Sequence, residues 1–205
     1  MATATRTPAT DSGVVPYRLT LRQFETMIDA GVFPEGTRVE LLGGMLVDKM
    51  TKNPPHSIAS GQTRDLLARI VPPGWYVDEE KPIALGLEDR PEPDVTVVLG
   101  RRNDYRDRAP GPKHLALVVE VSDVSYGKDR GEKWWRYAAA RVRTYWIVHL
   151  AARQVEVYTD PTGRGKAACY RACVIHGADA EVPVVIEDHE VGRIAVREIL
   201  PEEGP

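Results

Sequence analysis

The chain has 205 residues, 42% of them hydrophobic and 28% charged, with 27 basic against 30 acidic side chains and a formal net charge of −3. That apolar content is enough for a substantial core in one domain, and the acidic balance argues against a protein that coats DNA nonspecifically, because such affinity scales with the phosphates that Lys and Arg neutralise. No run approaches the length of a membrane span and the N-terminus lacks the apolar stretch of a signal peptide, so a cytoplasmic enzyme is expected.

Residues 1–16, opening MATATRTPATDSG, read as a disordered tail, residues 17–200 as one domain and 201–205 as a short C-terminal tail. Thr20 with Gln23 has the form of a capping box, predicting a helix over 21–29 closed by Gly31. RVELLGGMLVDKM predicts a hairpin turning at Gly43-Gly44, where the absence of Cβ permits positive φ. A helix from about Ser57 to Ile70 and a strand from Trp75 to Glu80 follow.

Residues 94–99 (DVTVVL) and 115–121 (LALVVEV) are short, β-branched and bounded by Pro, Gly or charge, as expected of central strands buried on both faces. Asp94 heads the first and Glu120 is the only charge in the second. Carboxylates are almost never buried unless paired, hydrogen-bonded or bound to a metal, so two acids on adjacent strands suggest a metal site. A turn cap after Pro93 for Asp94, and an Arg partner for Glu120, are the plainer alternatives. Between the strands, RRNDYRDRAPGPKH carries Arg101, Arg102, Arg106, Arg108 and Lys113, either a phosphate-contacting loop or a solvated loop balanced by Asp104 and Asp107.

Asp129 with Glu132 also has the form of a capping box, predicting a helix that starts near Arg130 and places Lys133 in its first turn, where the helix dipole disfavours a cation. RTYWIVHL and RQVEVYT form a strand pair, and the alternation from Val182 to Leu200 predicts further edge strands. Trp134, Trp135, Tyr137, Tyr145 and Trp146 fall in regular elements and are expected in the core. Cys169 and Cys173, without further ligands nearby, point to packing in a reducing compartment rather than to zinc, which takes about four ligands.

An acid after proline at a strand start, a Glu inside the next apolar strand and a nearby Lys resemble the PD-(D/E)xK nuclease superfamily. The order PEPDVTVV, LVVEVSDVS, KDRGEKWWRYAAARVRTYWIV resembles one branch of it, the Uma-two family of restriction endonucleases, over roughly residues 17–200. In that branch the motif lysine has moved from the strand to the following helix; here Ser122 takes the strand position two after Glu120, and Lys133 matches the migrated one. Glu40 falls on the acidic position of the family's early hairpin, and Pro55-His56 opens its first long helix beside the cleft, where His56 has either a functional or a helix-terminal role. Arg141 stands where the family usually has Gly, and His149 replaces an Asp after YWIV.

The resemblance implies an α/β fold with a restriction-endonuclease-like mixed sheet flanked by helices, an early hairpin and C-terminal edge strands. It implies a Mg²⁺-dependent endonuclease acting on DNA, with Mn²⁺ as an alternative ion. Asp94, Glu120 and a backbone carbonyl near Val121 would be the ligands, Lys133 or its rival Lys128 the transition-state group, and Glu40 a fourth member. A homodimer would suit the cutting of both strands of a palindrome. Two other classes stay open: a catalytically silent DNA- or protein-binding scaffold, and a small-phosphoester hydrolase, which would need a closed apolar pocket.

Overall fold

The computed structural model describes residues 15–49 and 52–202, so nearly all of the expected N-terminal tail, and the last three residues, lie outside the described residues. Local signals set the early elements. The Thr20 hydroxyl accepts from the Gln23 N–H at 3.2 Å and the Gln23 side-chain oxygen accepts from the Thr20 N–H at 2.8 Å, so helix α1 (Leu21–Asp29) starts at a reciprocal cap and stops at Gly31, φ 67°. Strands β1 (Val39–Leu42) and β2 (Met45–Asp48) turn through Gly43 and Gly44, at φ 56° and 73°, the two positive values a type I′ turn requires. Helix α2 (Pro54–Ile70) begins three residues before the expected Ser57. Asn53 caps it by accepting from the His56 N–H at 3.0 Å, and prolines suit its first positions because the N–H they lack would have no intrahelical partner there.

Six strands form the central sheet in chain order: β3 (Trp75–Glu79), β4 (Val95–Leu99), β5 (Leu115–Ser122), β6 (Thr144–His149), β7 (Gln154–Thr162) and β8 (Cys169–Gly177). All neighbours are antiparallel except β5 and β6, whose parallel pairing needs a crossover. The crossover is a helical run in three parts: α3 (Tyr126–Lys128), a π turn (Asp129–Lys133) and α4 (Trp134–Ala139). Every residue of β5 is buried, as its apolar run implies. One face of the sheet packs Val95, Val97, Leu117, Val119 and Trp146 against Leu67 of α2; the other packs Val98, Val118, Tyr145, Ile147 and Tyr158 against Tyr137 and Ala138 of α4. The mixed α/β class expected from the sequence is the class observed.

Several particulars differ. Asp129 is not a helix cap: the helix starts at Tyr126, and Asp129 lies inside it with its carboxylate accepting from Ser122 Oγ at 2.7 Å and Ser125 Oγ at 2.6 Å. Lys133 therefore sits at the end of a π turn rather than in a first turn. Among the described residues the last strands, β9 (Glu181–Ile186) and β10 (His189–Ala195), pair only with each other, and with helix α5 (Val196–Ile199) they cover the face that α2 covers, so they extend no edge of the central sheet. Alternation reveals that a strand has one apolar face, not where that face docks.

Trp146, Tyr137 and Tyr145 are fully buried, but Trp134 and Trp135 are only half-buried and carry Arg130 and Arg136 on their rings. Cys169 is half-buried and Cys173 exposed, both free thiols, so a packing role fits only the first. Arg141 adopts the left-handed conformation, φ 64°, at the end of α4, where the Val142 N–H donates to Tyr137 O and the Arg141 N–H to Ala138 O. This is the helix-ending geometry that favours glycine; Arg141 instead donates its guanidinium to the carbonyls of Pro161 at 2.6 Å and Gly163 at 3.0 Å.

Candidate active site

Because β4 and β5 are antiparallel, the start of β4 lies beside the end of β5, and Asp94 and Glu120 meet at one end of the sheet. The Val121 N–H donates to Asp94 Oδ2 at 2.7 Å. A strand residue points its N–H and C=O to the same side, so the Val121 carbonyl also faces β4. There the register Val95↔Val119, continued, sets it opposite Pro93, which has no N–H to give.

The segment leading into helix α2 and the helix's first turn supply two partners to Asp94, Lys52 and His56. Lys52 Nζ lies 2.7 Å from Oδ1 and His56 Nε2 lies 3.2 Å from Oδ2, while Lys52 also reaches Glu80 at 2.6 Å. His56 Nδ1 is buried without a hydrogen-bond partner among the described residues. Asn53 ties the start of α2 to the loop after β5 through Asp123, 2.6 Å away. Burial pushes Asp94 up, but His56 and Lys52 outweigh it and hold the carboxyl well below the usual carboxylate range.

The crossover helix supplies the rest. Lys133 Nζ donates to Glu120 Oε1 at 2.8 Å and lies 3.2 Å from Glu40 Oε1, while Lys128 Nζ reaches Glu40 Oε2 at 3.0 Å. Side chains five residues apart diverge by about 140° on a regular α-helix of 3.6 residues per turn. The i→i+5 turn over Asp129–Lys133 brings Lys128 and Lys133 back to one side, so both grip the same glutamate. The Tyr137 hydroxyl, four residues on and hence on the same helical face, donates to Glu120 Oε1 at 2.6 Å.

The hairpin bearing Glu40 is fixed to this helix by Arg136, whose guanidinium pairs with Asp89 at 2.6 Å while Asp89 accepts from the Gly43 N–H at 2.6 Å. The Glu92 N–H donates to Glu40 Oε1 at 2.9 Å. Burial opposes ionisation of Glu40, but Lys133 and Lys128 bring its pKa below the ordinary value. Glu120 goes the other way: burial, helped by Asp129, Asp94 and Glu40 against the single ammonium of Lys133, pushes it up to about 8. Lys133 is pushed up, because Glu120, Glu40 and Asp129 outweigh its own burial. Two neighbouring carboxyls are thus driven apart, Glu40 below and Glu120 above the ordinary carboxylate value.

Asp94, Glu120, Lys133, Glu40, Val121 and Lys128, all singled out from the sequence, come together here, with His56. Lys52 and the hydroxyl of Tyr137 were missed. Lys52 has no motif beyond its place before Asn53-Pro54, and Tyr137 reads as a core aromatic; its spacing of four from Lys133 was the available signal. The arginine loop does not join: it links the end of β4 to the start of β5, at the opposite end of the sheet, and Arg102 is spent on Asp78 and the Val77 carbonyl. The cleft between the site residues is small, about 50 Å³. Its lining residues are mostly charged and polar, unlike the closed apolar pocket expected of a small-phosphoester hydrolase. His149 lies outside it, stacked on Tyr126 at 3.9 Å and 3.4 Å from Glu156.

The mixed sheet with Asp94, Glu120 and Lys133 at one end has the arrangement expected of a nuclease-type α/β protein. Residues 21–188 match the Uma2 family, described as “Putative restriction endonuclease”, and the chain belongs to that family. A crystal structure from Anabaena variabilis, described as a “putative nuclease belonging to DUF820”, shares the fold with a TM-score of 0.60 at 14% identity, covering 88% of this chain and 97% of that one. No curated protein matches the chain. Among the described residues no helix is long and apolar enough to cross a membrane.

Proposed function

We propose that the protein is a Mg²⁺-dependent endonuclease that hydrolyses DNA phosphodiester bonds, with Mn²⁺ able to replace Mg²⁺. Family membership supports a nuclease in general, and the observation that carries the finer reading is the convergence of Asp94, Glu120, Glu40 and Lys133 at one strand end. The donor set suits a hard cation: Asp94, Glu120 and the Val121 carbonyl are oxygens, and Mg²⁺ takes one or two carboxylates and keeps water. Among the described residues no three His, Cys, Asp or Glu side chains form a ready cage. When bound, the ion supplies Lewis acidity at a phosphoryl oxygen and makes water a better nucleophile at neutral pH.

The chain's own residues do the rest. Lys52 and His56 keep Asp94 ionised, and Tyr137 holds Glu120 by one oxygen so that the other stays available. Glu40 holds Lys128 and Lys133 over the cleft, where the Lys133 ammonium meets the negative charge that grows on the phosphoryl group in the transition state. One observation favours a silent scaffold instead: both proposed ligands already have a lysine partner, Lys52 at 2.7 Å from Asp94 and Lys133 at 2.8 Å from Glu120, so neither is left open for a metal. Supercoiled plasmid incubated with purified protein and Mg²⁺, Mn²⁺, Ca²⁺ or EDTA separates the two. Nicking with Mg²⁺ and Mn²⁺ that EDTA abolishes is expected; DNA binding without nicking under any ion would select the scaffold.

A further inference from the structure

The two edges of the central sheet are built differently. At β3 the outer edge is blunted: Arg102 donates to the Val77 carbonyl at 2.8 Å and pairs with Asp78 at 3.3 Å. At β8 it is bare. Residues 171–175 are all exposed, with Val174 55% and Ile175 59% accessible, and the β7–β8 register runs without a shift. Among the described residues, the one backbone bond from β8 beyond its pairing with β7 is at its end, where Gly177 O accepts from the Ala180 N–H. Open edges template strand pairing, and proteins usually guard them with Lys, Pro or a bulge. None of these occurs in Cys169–Gly177.

We propose that β8 is a homodimer interface, in which two copies pair antiparallel, edge to edge, across a two-fold axis at Cys173 and so join their sheets into one. The occupant is a second copy for three reasons. An antiparallel strand is its own complement under a two-fold axis, so both bare edges are satisfied at once. The edge does not repel itself, because its one arginine, Arg171, is held by Asp160 of its own β7 at 2.7 Å. A stable interface buries at least about 1,000 Å², more than a single strand supplies, and beside β8 lies an open groove of about 490 Å³ that sets Val157, Val174, Pro183 and Val185 among polar groups including Arg143 and Asp188, a mixed surface against which the partner's side chains can pack. Cys173 is the middle residue of β8, so an axis there pairs the whole strand. The proposal does not depend on the nuclease reading.

Directly opposed residues of an antiparallel pair have Cα atoms about 4.5–5.5 Å apart, inside the disulfide range. Diamide should therefore couple Cys173 of one copy to Cys173 of the other in Cys169→Ser protein: the two thiols give up two protons and two electrons to diamide, which becomes the hydrazine, and the S–S bond forms. Sedimentation velocity should show a dimer at micromolar concentration, weakened about tenfold or more by Val174→Lys, which puts a charge on the edge. Val174 is already exposed, and an unchanged melting curve verifies that the variant is folded. A monomeric wild type would overturn the proposal. So would a dimer that Val174→Lys leaves intact, or one in which Cys173 fails to cross-link.

Discussion

Replacing Glu120 by Gln should stabilise the metal-free protein, and the gain should grow with pH. Glu120 is 3% exposed, and its pKa is pushed up to about 8 from an ordinary 4.5 by burial and by Asp129, Asp94 and Glu40. A carboxyl whose folded pKa is raised contributes stability that is fully present below pH 4.5 and is lost as pH rises through 8. The full span, at 1.36 kcal/mol per unit, is roughly 4–5 kcal/mol, of which roughly 3 kcal/mol is gone by pH 7. Gln does not titrate, its oxygen still accepts from Lys133 and Tyr137, and Lys133 keeps Glu40 at 3.2 Å. The variant should match the wild type at acid pH and exceed it by roughly 3 kcal/mol at pH 7, raising Tm there by roughly 6–12 °C in a chain of this size. Guanidinium titrations in EDTA across that pH range measure the difference. A wild type more stable than Glu120→Gln at alkaline pH would show that the attraction of Lys133 outweighs burial, and the reasoning would fail.

Lys133→Met should keep Mg²⁺ binding by calorimetry yet cut cleavage by a factor of about a hundred or more, the scale of losing one electrostatic stabiliser; Lys128→Met, which leaves Lys133 on both acids, should cost far less. Equal losses would make the two lysines equivalent. Mg²⁺ should raise the melting temperature more at pH 8 than at pH 6, because Glu120 must release its proton to bind and affinity falls about tenfold per pH unit below its pKa; a shift independent of pH would exclude Glu120 as a ligand. Gly43→Ala should destabilise by about 2–3 kcal/mol in denaturant, since the residue sits at φ 56° and its Cβ would lie 2.5 Å from Arg136 Nη2, displacing Arg136 from Asp89. Unchanged stability would mean that the Arg136–Asp89 link does not hold the hairpin.

What the sequence disclosed was written in short-range chemistry. The Thr20–Gln23 cap, the Gly43-Gly44 turn and the apolar run around Glu120 are each complete within a few residues, and each is found in place. The antiparallel order of the two acid-bearing strands then brings Asp94 and Glu120 together. The π turn left no such sign: its effect is to turn Lys128 and Lys133 to one side, which hydrophobic periodicity does not encode, and Asp129 resembled a cap because Glu132 follows it three residues later. Lys52 joins Asp94 across 42 positions and Arg136 joins Asp89 across 47, separations at which single-chain patterning carries no pairing information. The C-terminal hairpin shows the same limit, its alternation marking an apolar face without naming the layer that receives it.

The most direct test of the account is cleavage of one plasmid preparation by wild-type and Asp94→Asn protein, purified in parallel and both shown to be folded, with Mg²⁺ and with EDTA. The substitution removes the ionised ligand while the Asn oxygen still accepts from the Val121 N–H. The account predicts that wild-type protein nicks DNA with Mg²⁺ alone and that Asp94→Asn does not; nicking that is equal in the two, or absent from both, would contradict it.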